Sequence, residues 1–121
     1  MSIRASVVQL RVRASRKENV ERARVLIDQA ARQGAELVIL PEAWTGTYGV
    51  DHFVKNSEEW LTPGGGTALM ASLAKEHGIV VVGGIVEQDS GRYFNTIPAF
   101  GPDGNLLVKY RKIHLRCGGV S

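Results

Sequence analysis

The chain has 121 residues, 44% of them apolar, which suits one packed domain and is too apolar for a disordered chain. No apolar run reaches membrane-spanning length, and MSIRASVVQL lacks the h-region and cleavage site of a signal peptide, so a cytoplasmic protein is expected. A single cysteine excludes an internal disulfide and a cysteine metal cluster. The net charge of +3 comes with arginines crowded into the first third, but Glu18, Glu21 and Asp28 are interspersed among them. No stacking aromatics or nucleic-acid motif accompanies them, so they read as a solvated helix face and no nucleic-acid partner is expected.

In chain order, Ile3 to Val12 reads as a strand, rich in β-branched and apolar residues. Ser15 and Glu18 have the spacing of a capping box, and Val20, Ala23, Ile27, Ala30 and Ala31 follow at helical spacing. Gly34 suits the left-handed position after that helix. Leu37 to Leu40 reads as a short buried strand, closed by Pro41. Residues 43–66 look loop-like. A helix from about Thr67 to His77 should turn Leu69, Met70, Leu73 and Ala74 inward, with Gly78 ending it. Ile79 to Val86 reads as one buried strand, residues 88–91 as a turn, and Tyr93 to Phe100 with Leu106 to Lys112 as a hairpin around Gly101-Pro-Asp-Gly104.

The expected order is β-α-β-α-β-β-β, the start of a layered α/β fold. Its apolar strands want cover on both faces, and two helices cover only one. The chain therefore reads as part of something larger or half of an assembly.

Three stretches could carry chemistry. In LVILPEAW, Glu42 lies just past the carboxyl end of a buried strand, where open α/β sheets place ligands. Partial desolvation there suits a general base, and a surface or helix-capping glutamate is the equal alternative. In YRKIHL, Lys112 also lies near a strand end. Beside Glu42 it would form either a structural salt bridge or an oxyanion stabiliser next to a base, and a solvated charge is the ordinary reading of a lone lysine. His114 has no second histidine at metal-ligand spacing and reads as a packed side chain. The glycine-rich stretch from Pro63 to Leu73 fits neither a dinucleotide fingerprint nor a P-loop, and reads as a flexible loop entering a helix.

Taken together, LPEAW, IVVVGGIVEQ, YFNTIPAFGPDGNLL and KYRKIHL resemble the nitrilase superfamily of carbon–nitrogen hydrolases, from the first strand to Leu115. FGPDGNLLVKYRKIHL and Tyr48-Gly49 look most like its omega-amidase branch. The resemblance implies the N-terminal half of an α-β-β-α sandwich, in a family that pairs into homo-oligomers. It implies a Glu-Lys-Cys triad acting on a small-molecule amide with no metal or organic cofactor. Glu42 matches the general base and Lys112 the triad lysine, and Tyr48 falls in the loop expected to shape the substrate pocket. The family cysteine lies several dozen residues beyond the lysine. Cys117 is only five beyond it, in a glycine-flanked tail, and is not expected to be the nucleophile. Residues 1–115 are family-like and residues 116–121 diverge, so 1–121 reads as an incomplete hydrolase domain. On this reading the chain alone is inactive, and without a cover for its strands it is poorly stable or aggregates.

Overall fold

The computed structural model describes residues 2–46 and 50–113. Its elements are β1 (Ala5–Val7), α1 (Arg16–Arg32), β2 (Leu37–Ile39), α2 (Val50–Lys55), α3 (Gly66–His77), β3 (Val80–Val82), β4 (Ile85–Asp89), β5 (Arg92–Phe100) and β6 (Leu106–Arg111). β1, β2 and β3 run parallel and in register, so Val7, Ile39 and Val82 lie side by side. β5 then pairs antiparallel with β3, β4 and β6, completing one six-stranded sheet.

Both long helices are followed by a left-handed glycine, and α1 opens on a serine cap. The Ser15 hydroxyl caps α1 by accepting the Glu18 amide at 3.3 Å, and Gly34 takes the left-handed conformation after it, with φ 91°. Ala23, Ile27 and Ala30 form the buried stripe of α1, and Met70, Leu73 and Ala74 that of α3. Those stripes meet Val38, Val81 and Phe100 from one face of the sheet in a single core. Asp28 of α1 and His77 of α3 touch at 2.6 Å and tie the two helices together.

The opposite face is a different matter. Val7, Ile39, Val82, Ala99 and Val108 form one cross-strand row spanning five strands, all apolar. Val7 is 77% exposed and Val108 59%. Among the described residues, both long helices pack on the other face.

Several boundaries differ from the sequence reading. β1 spans three residues rather than Ile3 to Val12, because β2, its partner among the described residues, offers three pairing positions, Leu37 to Ile39, shortly before Pro41. The stretch expected to be a loop holds α2 and an isolated bridge between Glu58 and Glu87. The strand expected over Ile79 to Val86 is two, β3 and β4, parted at Gly83-Gly84. Register against β5 does not slip across that gap: Val82 faces Ala99 and Ile85 faces Thr96.

The glycine pair breaks the ladder because another segment lies against it. A Cβ on Gly83 would fall 2.8 Å from Leu40 Cβ, and one on Gly84 would fall 2.8 Å from Glu42 Cα. Gly84 donates its amide to Pro41 at 3.0 Å and accepts from the Trp44 amide at 3.1 Å. The turn over residues 41–44 is thus stitched to the end of β3, with Trp44 fully buried and Ala43 held at φ 48°.

Two buried glutamates tie further elements together, Glu58 at the start of α3 and Glu87 within the sheet. Glu58 receives the amides of Gly66 at 2.7 Å and Thr67 at 3.1 Å, so its carboxylate caps α3. Burial pushes its pKa up, against the pull of those two amides. The glycines of Pro63-Gly-Gly-Gly66 make room for it, since a Cβ on Gly65 would sit 1.9 Å from Glu58 Oε2. The helix end that could have held a phosphate is occupied by this chain's own carboxylate. Rather than entering α3 as a free loop, the segment is pinned there.

Glu87, 2% exposed, accepts from Thr96 at 2.8 Å, Lys109 at 2.5 Å, and Arg111 through Nε at 2.9 Å and Nη2 at 3.0 Å. Burial pushes its carboxyl pKa up, but hydrogen bonds from Arg111, Lys109 and Thr96 outweigh it and hold it at about 2.

Two outcomes follow for urea unfolding. Gly84→Ala forces the Glu42 backbone to move and should lower stability by about 1–3 kcal/mol, the range for overpacking; an unchanged midpoint would refute the close contact. Glu87 has a folded pKa below its unfolded one, so its contribution is complete above about 4.5 and is lost as pH falls towards about 2. Stability should drop by on the order of 2–3 kcal/mol across that window, and Glu87→Gln should be less stable at neutral pH with a flatter fall.

Candidate active site

Glu42 stands where the turn over residues 41–44 leaves the carboxyl end of β2, beside the end of β3. Ligand crevices of open α/β sheets form at such ends. Two donors converge on its Oε1: the Asn95 side-chain amide at 2.5 Å and the Lys112 ammonium at 3.3 Å. Lys112 lies 70 positions away in sequence, and the β5–β6 hairpin delivers it. Its backbone amide donates to the Asn95 carbonyl at 2.8 Å, continuing the ladder one step past Thr96 opposite Arg111.

Strand alternation explains why two glutamates end up with separate partners. Thr96 and Arg111 project to the helix-covered face and hold Glu87. Their neighbours Asn95 and Lys112 project to the opposite, open face and hold Glu42. The sequence NT on β5 and RK at the end of β6 therefore form two pairs of donors, one pair on each side of the sheet.

The two carboxylates differ in kind. Glu87 is enclosed and multiply bonded, as a structural ion network is. Glu42 and Lys112 both have side chains 37% exposed. An ion pair that exposed is worth about 0–1 kcal/mol, so stability alone gives little reason for three groups to converge there. Asn95 is itself buried, and its Oδ1 has no donor among the described residues.

Of the residues expected from sequence, Glu42 and Lys112 are brought together. Tyr48 lies outside the described residues, as do His114 and Cys117. In the sequence Asn95 counted only as part of a strand and of the Asn-Thr pattern that carries the family resemblance, with no role of its own. The signal that could have found it is its place opposite Lys112 in the hairpin, with alternation putting both side chains on one face. Among the described residues no three His, Cys, Asp or Glu side chains are grouped to hold a metal, and no helix is long and apolar enough to cross a membrane.

Comparison with known proteins adds to this geometry. Residues 4–118 match the carbon-nitrogen hydrolase family. The chain is 47% identical over 113 residues to omega-amidase NIT2-B of Xenopus laevis, covering 93% of this chain and 40% of that protein. It is 44% identical over 115 residues to human omega-amidase NIT2, covering 94% of this chain and 41% of the relative. The chain thus spans about 40% of the length of the curated relatives it matches. Among solved structures, XC1258 from Xanthomonas campestris, a CN-hydrolase superfamily protein with an arsenic adduct in its active site, superposes with a TM-score of 0.81 at 28% identity, over 94% of this chain and 42% of that one. Nit3 from Saccharomyces cerevisiae, of the nitrilase superfamily, gives 0.77 at 28% identity, over 93% and 44%. A sequence match over nearly the whole chain and a fold shared with solved members establish the family: the chain belongs to the carbon–nitrogen hydrolases.

Proposed function

We propose that this chain supplies the glutamate and lysine of an omega-amidase-type hydrolase, which cleaves a small ω-amide of a dicarboxylic acid to acid and ammonia. The observation that carries the reading is the convergence of Asn95 and Lys112 on Glu42 Oε1 at the strand ends. In this scheme Glu42 takes the proton of a cysteine thiol as the sulfur attacks the amide carbon. The Lys112 ammonium, beside the same carboxylate, offsets charge developing on the carbonyl oxygen. Glu42 then passes the proton to the departing ammonia, and water releases the acid from the thioester. The nucleophile is a cysteine outside the described residues, on a part of the domain beyond this half. Tyr48 is assigned to the substrate pocket on resemblance alone. Residues 1–115 form the N-terminal half of the hydrolase domain.

A second reading has its own observation. The apolar row from Val7 to Val108 suits a non-enzymatic role, in which this half binds a full-length relative through its open sheet face. A family that assembles into homo-oligomers would offer such partners.

Ammonia release from succinamic acid separates the two. The chain alone should give none, and the chain complemented with the C-terminal portion of an omega-amidase should turn over. Glu42→Gln and Lys112→Met should each lower that turnover by roughly 10²-fold or more. Turnover indifferent to both would overturn the assigned roles. Sedimentation of the chain with a full-length omega-amidase should reveal a complex if the second reading holds, weakened by Val7→Glu or Val108→Glu; no complex would remove that reading.

A further inference from the structure

We propose that Asn95 is the positioning residue of this site, fixing Glu42 through one carboxylate oxygen so that the other is left to move the proton. The inference rests on the hydrolase reading above and goes further by naming the residue that sets the geometry and the oxygen that acts.

Three observations carry it. First, both donors meet the same atom: Asn95 Nδ2 at 2.5 Å and Lys112 Nζ at 3.3 Å are on Oε1, and Glu42 Oε2 has no hydrogen-bond partner among the described residues. A carboxylate held at one oxygen keeps its lone pairs free at the other. Second, Asn95 grips both members of the pair. Its side chain holds Glu42, and its backbone carbonyl takes the Lys112 amide at 2.8 Å. Third, Asn95 cannot easily move. It sits within β5 between β4 and β6, with Val86 opposite it, and is 9% exposed.

The residue type follows from the task. A neutral amide fixes a carboxylate without adding a second full positive charge to it. Lysine or arginine at position 95 would add that charge, and aspartate would set two like charges at hydrogen-bond distance. The amide orientation is dictated by its neighbour: Nδ2 must face Glu42, since the reverse would place two acceptors together. Oδ1 is thereby committed to a buried position with no donor among the described residues. Such an orphaned acceptor is a cost, and a site that gains geometry from it is one place where that cost is tolerated.

In the reaction, the thiol proton is accepted at Oε2 while the S–C bond forms. The same oxygen returns the proton as the C–N bond breaks and ammonia leaves. Asn95 touches neither sulfur nor substrate in this scheme. It acts through Glu42.

Carbodiimide footprinting of the folded chain, read by mass spectrometry, tests this without turnover. Asn95→Ala and Asn95→Leu should both raise modification of Glu42 severalfold while exposed Glu59 and Glu76 stay as in the parent. Amine acylation of Lys112 should rise with it, against Lys75 as the reference. A role in packing alone would leave Glu42 unchanged in Asn95→Leu, which keeps the volume and adds no charge, and that result overturns the proposal. Should either variant fail to fold, the parent chain still decides. Its Asn95 side-chain amide should give a deshielded, slowly exchanging nitrogen–proton signal that reverts to the free-amide position in Glu42→Ala; an ordinary fast-exchanging signal in the parent overturns the proposal. Turnover in the complemented chain with an unchanged footprint rejects Asn95 and spares the hydrolase reading. The expected footprint with no complemented turnover rejects the hydrolase reading and leaves Asn95 as the holder of a plain ion pair.

Discussion

The pairing of Thr96 with Arg111 across the β5–β6 hairpin is the constraint on which the molecule turns. A sheet sends successive side chains to opposite faces, so fixing one cross-strand pair fixes its neighbours as well. Here that rule divides four donors between two glutamates. A slip of one residue would carry Arg111 to the open face and Lys112 into the core, where Glu87 would lose its guanidinium partner and Glu42 its ammonium. Glu87, with four hydrogen bonds in a buried position, makes such a slip expensive. The structural ion network on one face thus guarantees the register of the candidate site on the other.

The second constraint is steric. Parallel strands β2 and β3 end side by side, and the chain leaving β2 must turn at once across the end of β3. Gly83 and Gly84 let it do so at a distance no side chain would permit. The price is paid in backbone strain at Ala43 and an indole nitrogen at Trp44 with no partner among the described residues. What results is a glutamate whose main chain is clamped on both sides by Gly84, so the carboxylate starts from a defined point before Asn95 and Lys112 reach it.

Much of this was legible in the sequence where a local signal was strong. Ser15 and Glu18 with the stripe through Ile27 sufficed for α1, and the Pro-Asp-Gly turn for the hairpin. Helix α2 escaped because six residues carry too little periodicity to register and too little length to form without tertiary support. The break at Gly83-Gly84 escaped because a glycine's reason lies in what approaches it, here a turn some forty residues earlier. β1 was overread because strand length is set by the partner, and β2 is short. The Glu42–Lys112 meeting reached us through family resemblance, since no local pattern links positions 70 apart. Asn95 belonged to a family-like Asn-Thr strand, but its task became visible only when the register showed its neighbour.

Glu58 has a consequence for how the molecule opens. Its amide and carbonyl bond to Val86 and Gln88 of β4, while its carboxylate holds the first amides of α3. One residue therefore belongs to the sheet and to the helix cap together. When β4 frays, the cap is withdrawn; when the first turn of α3 frays, a carboxylate is left among buried neighbours. The sheet edge and the helix start are thereby coupled through a single side chain and its main chain, which ties the amides of Gly66, Thr67 and Gln88 to one residue although they lie in different elements.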